Sequence, residues 1–313
     1  MPIPAGDTRR SDGLWHSGYW RGMNDEEIAV SVVLPAYNEQ QAISGVLDGI
    51  MAVMGPQKIP YEILVVNDGS TDGTCAECAA RPFVKVVTHD HNRGNGAART
   101  TGVMAARGRT IVMLDADGTY PVEAIPQMIR ELESCDMVIG AREKEMGTLK
   151  MLRSLAKEFI RALASYMTQT HIPDLNSGMR AMKRDLVPQF FGILPSTHSW
   201  VSTITMAFLS SGYNVRWMPI AYYRRIGRST FHPIRDTYNY LTLVVRTIMY
   251  FNPLRIFLPV TLVLSLIGAA KMVYDIFTYN FHFAPSTVML ILTAVQLGAL
   301  GFLADLIVRR AKP

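Results

Sequence analysis

The chain has 313 residues, 49% hydrophobic and 18% charged, enough for one large domain plus an appendage. Its mean hydropathy of +0.14 is high for a purely soluble protein, and a net charge of +5 suits nucleic acid, anionic lipid or a phosphorylated substrate equally. Three cysteines exclude a disulfide framework, the lone Cys75-x-x-Cys78 lacks the second pair a structural zinc needs, and no repeat or low-complexity segment occurs.

Residues 1–27 are rich in Gly, Ser, Arg and aromatics without periodicity or an apolar core, so they read as a tail and not as a secretory signal. From Ile28 the pattern alternates between strand and helix. Val30 to Leu34 is a predicted strand ended by Pro35, and a helix runs from Gln41 to about Met54. Tyr61 to Val66 is the second strand, and the polar turn Asn67 to Thr74 opens a helix. Val84 to Val87 is the third, Arg93 to Gly96 leads into a helix over Ala97 to Ala106, and Ile111 to Leu114 is the fourth. Such alternation predicts βαβ units and a mostly parallel sheet, with ligands beyond the carboxyl ends of the strands.

Those ends carry Asn38-Glu39, Asp68 and the pair Asp115 and Asp117. Two carboxylates so close resist double ionisation unless a cation sits beside them. Mg2+ takes one or two carboxylates plus substrate phosphates, so Asp115 and Asp117 read either as the protein half of a metal–diphosphate site or as an acidic turn capping the next helix, and the rest of the chain decides. No G-x-G-x-x-G or G-x-x-x-x-G-K-[ST] follows these strands, which counts against dinucleotide dehydrogenases and P-loop ATPases.

Four stretches in order, Val33-Leu-Pro-Ala-Tyr-Asn-Glu39, Val65-Val-Asn-Asp-Gly-Ser-Thr-Asp-Gly-Thr74, Asn92-Arg-Gly-Asn-Gly-Ala-Ala-Arg99 and Asp115-Ala-Asp117, resemble the inverting GT-A glycosyltransferases. Within that group the similarity is to polyisoprenyl-phosphate glycosyltransferases such as dolichol-phosphate mannose and glucose synthases. It spans roughly Ile28 to Arg235. The resemblance implies that Pro35, Tyr37, Asn38, Glu39 and Asp68 hold the base and ribose of a nucleotide-sugar, and that Asp115 and Asp117 bind Mg2+ or Mn2+ at its diphosphate. It also implies that Arg142, ending a strand that begins at Met137, and a basic residue early in a helix over Thr148 to Gln169 bind the phosphate of a polyprenyl or dolichyl acceptor. Lys150, Arg153, Lys157 and Arg161 are the choices there, and Arg153 is the one selected. Tyr222 to Thr230 is similar to the family's Arg-x-Gly-x-Ser loop, which places Arg225 and Arg228 over the diphosphate. Relatives carry a Glu near the start of the helix predicted over Thr197 to Ser210, and Ser199 to Thr203 has none. A phosphate monoester is already anionic at neutral pH and needs no general base, which fits a lipid phosphate better than an alcohol.

Phe231 to Tyr250 reads as an amphipathic helix in the headgroup plane. Leu254 to Phe277 and Ala284 to Val308 are each long and apolar enough to span a bilayer. Arg255 precedes the first and Arg309, Arg310 and Lys312 follow the second, which puts both ends and the catalytic domain in the cytoplasm. The expected organisation is therefore a tail (1–27), an α/β GT-A domain (28–230), an interface helix (231–252) and a transmembrane hairpin (253–313). The expected partners are a nucleotide-sugar, a lipid phosphate, membrane lipid and a second copy of the chain, since two spans are few to enclose a lipid; nucleic acid is not among them. The rival readings are a processive polysaccharide synthase, against which Tyr213 stands where Gln-x-x-Arg-Trp needs Gln, and a non-catalytic membrane-tethered sugar-nucleotide binder.

Overall fold

The structure, a computed structural model, describes residues 28–142, 162, 165, 166, 168–197, 199–225, 249, 250, 252–278 and 282–311. The tail, the basic helix with Arg153, the loop with Arg228 and nearly all of the predicted interface helix lie outside the described residues.

Seven strands form one sheet: β1 (Val30–Ala36), β2 (Tyr61–Asn67), β3 (Val84–Thr88), β4 (Thr110–Met113), β5 (Met137–Arg142), β6 (Arg180–Lys183) and β7 (Val215–Ile220). Their order is β3-β2-β1-β4-β6-β5-β7, with β6 antiparallel to β4 and β5 and every other pair parallel. The expected mostly parallel sheet is present. From β1 the chain builds outward to β2 and β3 on one side and to β4 on the other. The topological switch point therefore lies between β1 and β4, and there open α/β sheets bind their ligands.

The helices are α1 (Ile43–Met54), α2 (Thr74–Ala79), α3 (Asn95–Ala105), α4 (Ile125–Glu131), α5 (Trp200–Ser210), α6 (Leu254–Thr278) and α7 (Pro285–Ala311). The central strands bury both faces, which explains their unbroken apolar runs. Val32, Leu34, Ile63, Val65, Val112 and Leu114 pack with α1 and α4 residues such as Leu47, Ile50 and Met128. The alternate residues Val33, Leu64, Ile111 and Met113 pack with Val103 of α3 and Trp200, Ile204 and Phe208 of α5. Each side chain buried this way contributes about 1.5–3 kcal/mol.

Pro35 does not end β1, contrary to the expectation; the strand runs on to Ala36. Val33 faces β4, since its carbonyl accepts the Leu114 amide. Pro35 faces the same way two residues later, beyond Met113, the last β4 residue paired with β1. Its missing N–H is therefore not needed.

Helices α6 and α7 pair as a hairpin, matching the two predicted spans. Only 6% and 17% of their most apolar windows is buried, so the apolar side chains face outward instead of forming a soluble core. Asp275, in the last turn of α6, is fully buried. It accepts hydrogen bonds from Ala284 N (2.9 Å), Thr287 Oγ1 (2.5 Å) and Lys271 Nζ (3.3 Å), closing the turn into α7.

Candidate active site

The turns after β1 and β2 are locked together. Asn38 takes the left-handed conformation (φ 55°), which its short polar side chain tolerates. Its Oδ1 accepts the Thr71 amide (2.8 Å) and its own amide donates to Ser70 Oγ (3.0 Å). The Glu39 amide donates to Thr74 Oγ1 (2.9 Å). These bonds leave Tyr37 exposed at the rim and turn Glu39 inward.

Asp68, just past β2, is buried. Its carboxylate accepts the amides of Arg93 (2.9 Å) and Gly94 (2.8 Å) and pairs with His89 Nδ1 (2.6 Å), while His89 Nε2 meets Thr101 Oγ1 (3.0 Å). The loop leading into α3 is therefore moulded around this one carboxylate.

After β4, Gly118 (φ 75°) turns the chain. Asp115 Oδ1 accepts Arg99 Nη2 of α3 at 2.5 Å. Arg99 is itself held by Asn95 Oδ1 (2.6 Å) and the Gly178 carbonyl (3.3 Å). Asp117 Oδ1 accepts the amide (3.1 Å) and hydroxyl (2.6 Å) of Thr119. Arg225 reaches back across the rim: Nη2 donates to Glu39 Oε1, and Nε lies 3.5 Å from Asp117 Oδ2. That Nε is buried without a hydrogen-bond partner among the described residues.

The acids feel this crowding. Burial, reinforced by the charges of Asp117 and Asp115 and only partly offset by Arg225, pushes the Glu39 carboxyl from 4.5 up to about 7. Burial and the Asp115 charge likewise raise the Asp117 carboxyl, against the hydrogen bonds of Thr119 and the charge of Arg225. A divalent cation would relieve that repulsion, and the donor set suits one. Asp115 Oδ2 and Asp117 Oδ2 accept no hydrogen bond among the described residues, and two carboxylate oxygens plus a diphosphate suit Mg2+ or Mn2+. No cluster of three His, Cys, Asp or Glu with metal-binding geometry occurs among the described residues, so the remaining ligands fall to the substrate and water.

Behind the acids, fully buried Arg180 bolts the 174–179 loop to α5 through Ser177 O, Val201 O (2.8 Å) and Thr205 Oγ1 (3.1 Å). Burial, then the nearby Arg99, lowers its pKa to about 9. Arg142, at the end of β5, forms a two-pronged pair with Asp174 (2.7 and 2.9 Å).

The family model for glycosyl transferase family 2 matches residues 31–191. The chain belongs to that family. A second model, the GtrB C-terminal hairpin, matches residues 252–309 of this family 2 chain. A dolichyl-phosphate hexose transferase of Haloferax volcanii is 31% identical over 206 residues, covering 65% of this chain and 87% of that one. A dodecaprenyl-phosphate galacturonate synthase of Rhizobium johnstonii is 29% identical over 180 residues, 54% of this chain and 52% of its own. The chain spans about half the length of the curated relatives it first matches, the Rhizobium protein among them. Among solved structures, glucosyl-3-phosphoglycerate synthase of Mycobacterium tuberculosis, crystallised with Mn2+, UDP and phosphoglyceric acid, shares the fold. Its TM-score is 0.57 and its identity 19%, over 72% of this chain and 80% of that one.

The structure thus brings Glu39, Asp115, Asp117 and Arg225 together. Pro35 is buried in β1 and Asp68 holds a loop on the same rim, while Arg142 is linked to Gly178 through the rings of Tyr222 and Tyr120. Sequence reasoning assigned no role to Arg99, His89, Tyr120, Asp174, Gly178 or Tyr222. Arg99 lies inside the family-like stretch Asn92 to Arg99, which is the signal that singles it out.

Proposed function

We propose that this chain transfers a sugar from a nucleoside-diphosphate sugar to the phosphate of a polyprenyl carrier, inverting the anomeric carbon, at the cytoplasmic face of a membrane. One observation carries the reading: the acid-lined rim of a family 2 sheet and a GtrB-type hairpin occur in a single chain. Relatives named for dolichyl- and dodecaprenyl-phosphate chemistry support the acceptor class. UDP and Mn2+ in the Mycobacterium structure support the donor class and a divalent ion.

In this reading Pro35, Tyr37, Asn38 and the loop organised by Asp68 line the base and ribose. Asp115 and Asp117 would hold Mg2+ or Mn2+, which offsets charge developing on the departing diphosphate. Arg225, with Arg228, supplies further positive charge there in a site closed to water. Arg142 and Arg153 hold the acceptor phosphate in line with the sugar. A phosphate oxygen bonds to the anomeric carbon as the bond to the diphosphate oxygen breaks, and the nucleoside diphosphate leaves. No side chain need take a proton, because the nucleophile is already ionised. The absence of an acid in the first turn of α5 agrees with this. The tail, catalytic, interface and hairpin segments divide near residues 28, 231 and 253, and the two-span anchor favours self-association around the lipid.

The test uses the full chain in nanodiscs with a panel of UDP- and GDP-sugars, offering undecaprenyl phosphate or undecaprenol. Release of nucleoside diphosphate is expected only with the phosphorylated lipid and a divalent ion. Equal turnover in excess chelator, or turnover with undecaprenol as good as with the phosphorylated lipid, overturns the reading.

A further inference from the structure

Arg142 is held more firmly than a ligand-binding arginine at a strand end needs to be. Its Nε and Nη2 donate to the two oxygens of Asp174, and its backbone amide reaches Asp174 Oδ2 at 3.3 Å. Both side chains are about nine-tenths buried, 12% and 11% exposed. Asp174 is itself immobile: Oδ1 also accepts the Asn176 amide (3.0 Å), and its carbonyl accepts Trp217 Nε1 (3.0 Å). Against the guanidinium face lies Tyr222, with the Arg142 Cζ 5.2 Å from its ring centroid. Tyr222 in turn meets Tyr120 edge-on at 5.3 Å, and Tyr120 Oη accepts the Gly178 amide at 2.6 Å. Burial would raise the Asp174 carboxyl, but the hydrogen bonds and charge of Arg142 outweigh it and hold it below the usual carboxylate range.

We propose that Asp174 and Tyr222 form a fixed mount for Arg142, making both of them positioning residues for the anionic acceptor. Arginine is long and flexible, and ordering it on binding is unfavourable. Here the fork is oriented beforehand by a carboxylate on one edge and a ring on its face, so the ligand meets a guanidinium already in place. The mount also has an electrostatic consequence. Asp174 cancels the charge of Arg142, so this arginine contributes direction more than attraction, and the charge of a phosphate monoester must be balanced by other basic groups. The inference rests on the reading of Arg142 as an acceptor-phosphate ligand.

The experiment measures equilibrium binding of radiolabelled undecaprenyl phosphate to the full chain in detergent micelles. Undecaprenol serves as the neutral control, and UDP with Mn2+ reads the donor side. Arg142→Gln and Asp174→Asn are each expected to weaken undecaprenyl phosphate by about tenfold, the loss of one charge-assisted, oriented contact. Tyr222→Leu is expected to weaken it about threefold, with Tyr222→Phe recovering most of that loss because the ring and not the hydroxyl makes the contact. Binding of undecaprenol and of UDP with Mn2+ should stay within about twofold, since neither depends on this guanidinium. Tighter phosphate binding by Asp174→Asn would mean that the carboxylate competes with the ligand, and the mount would be wrong. So would equal weakening of both sides, or a Tyr222→Phe variant as impaired as Tyr222→Leu. The Tyr222 pair leaves the Asp174 loop untouched, so a misfolded Asp174 variant does not hide the answer. Unchanged lipid-phosphate binding in Arg142→Gln would remove the acceptor assignment itself, whereas loss there without loss in the other variants would remove the mount alone.

Discussion

Gly178 touches the back of the Asp115 carboxylate. A Cβ built there lies 2.5 Å from Asp115 Oδ2, 3.0 Å from its Cγ and 3.2 Å from Arg99 Nη2. Ordinary C···O contact begins near 3.3 Å, so in Gly178→Ala the oxygen must retreat by about 0.8 Å. Asp115 is a short side chain with Oδ1 tied to Arg99, so it meets that demand by rotating its carboxylate out of line with Asp117. Under the role proposed for Asp115, a displacement of this size should lower turnover by about 10- to 100-fold. The φ of Gly178 is outside the left-handed region, so the substitution strains no backbone, and the stability loss should stay within the about 1–3 kcal/mol of ordinary overpacking. The assay pairs sugar transfer with Mn2+ binding by electron paramagnetic resonance in the presence of UDP, and thermal unfolding checks the fold. Wild-type turnover together with wild-type Mn2+ affinity would refute the fixed placement of Asp115. A large drop in unfolding temperature would trace the effect to packing instead.

Other outcomes follow from the same contacts. With a native pKa near 7 against an ordinary 4.5, Glu39 binds more proton in the folded than in the unfolded chain between those values. Its contribution to stability is therefore complete below pH 4.5 and declines as pH rises through about 7. Glu39→Gln should flatten that decline by about 1–3 kcal/mol in ligand-free unfolding measured across the window, and an unchanged slope would place the titration elsewhere. Asp68→Ala strips the Arg93 amide and His89 Nδ1 of their partner, leaving the Gly94 amide only Asn92 Oδ1 and His89 only Thr101 Oγ1, and should cost about 2–4 kcal/mol in denaturant unfolding, with UDP binding lost alongside; a change near zero would show that the loop holds itself. Asp275→Ala removes the hydrogen bonds closing the hairpin turn and should lower stability in micelles by about 1 kcal/mol while micellar turnover is retained; a loss of turnover there would tie the hairpin tip to catalysis.

Much of this was legible because the sheet buries both faces: Ile111 to Leu114 is unbroken and apolar, and the acids follow it at once. The antiparallel strand β6 and the edge strand β7 were not legible. β6 is four residues bounded by Arg180 and Lys183, with no period to read, and β7 carries Pro219, exposed between buried Met218 and Ile220, a residue that argues against a strand in sequence reading. Pairing across long separations was equally hidden. Nothing local ties Arg225 to Glu39, 186 residues away, and nothing in the composition announces that Arg180 is completely buried. Motif reading assigned Asp68 to a nucleotide. The structure adds that its oxygens already organise a loop, because a buried carboxylate near free backbone amides will take them.

Tyr222 and Arg225 stand three residues apart, one against Arg142 and the other on Glu39 and Asp117. Between them the Tyr223 amide is pinned to the Thr119 carbonyl at 2.9 Å. That pin sits between the two contacts, so the chain leaving β7 is fastened at three successive points: beside Arg142, on the Thr119 carbonyl and on the acids.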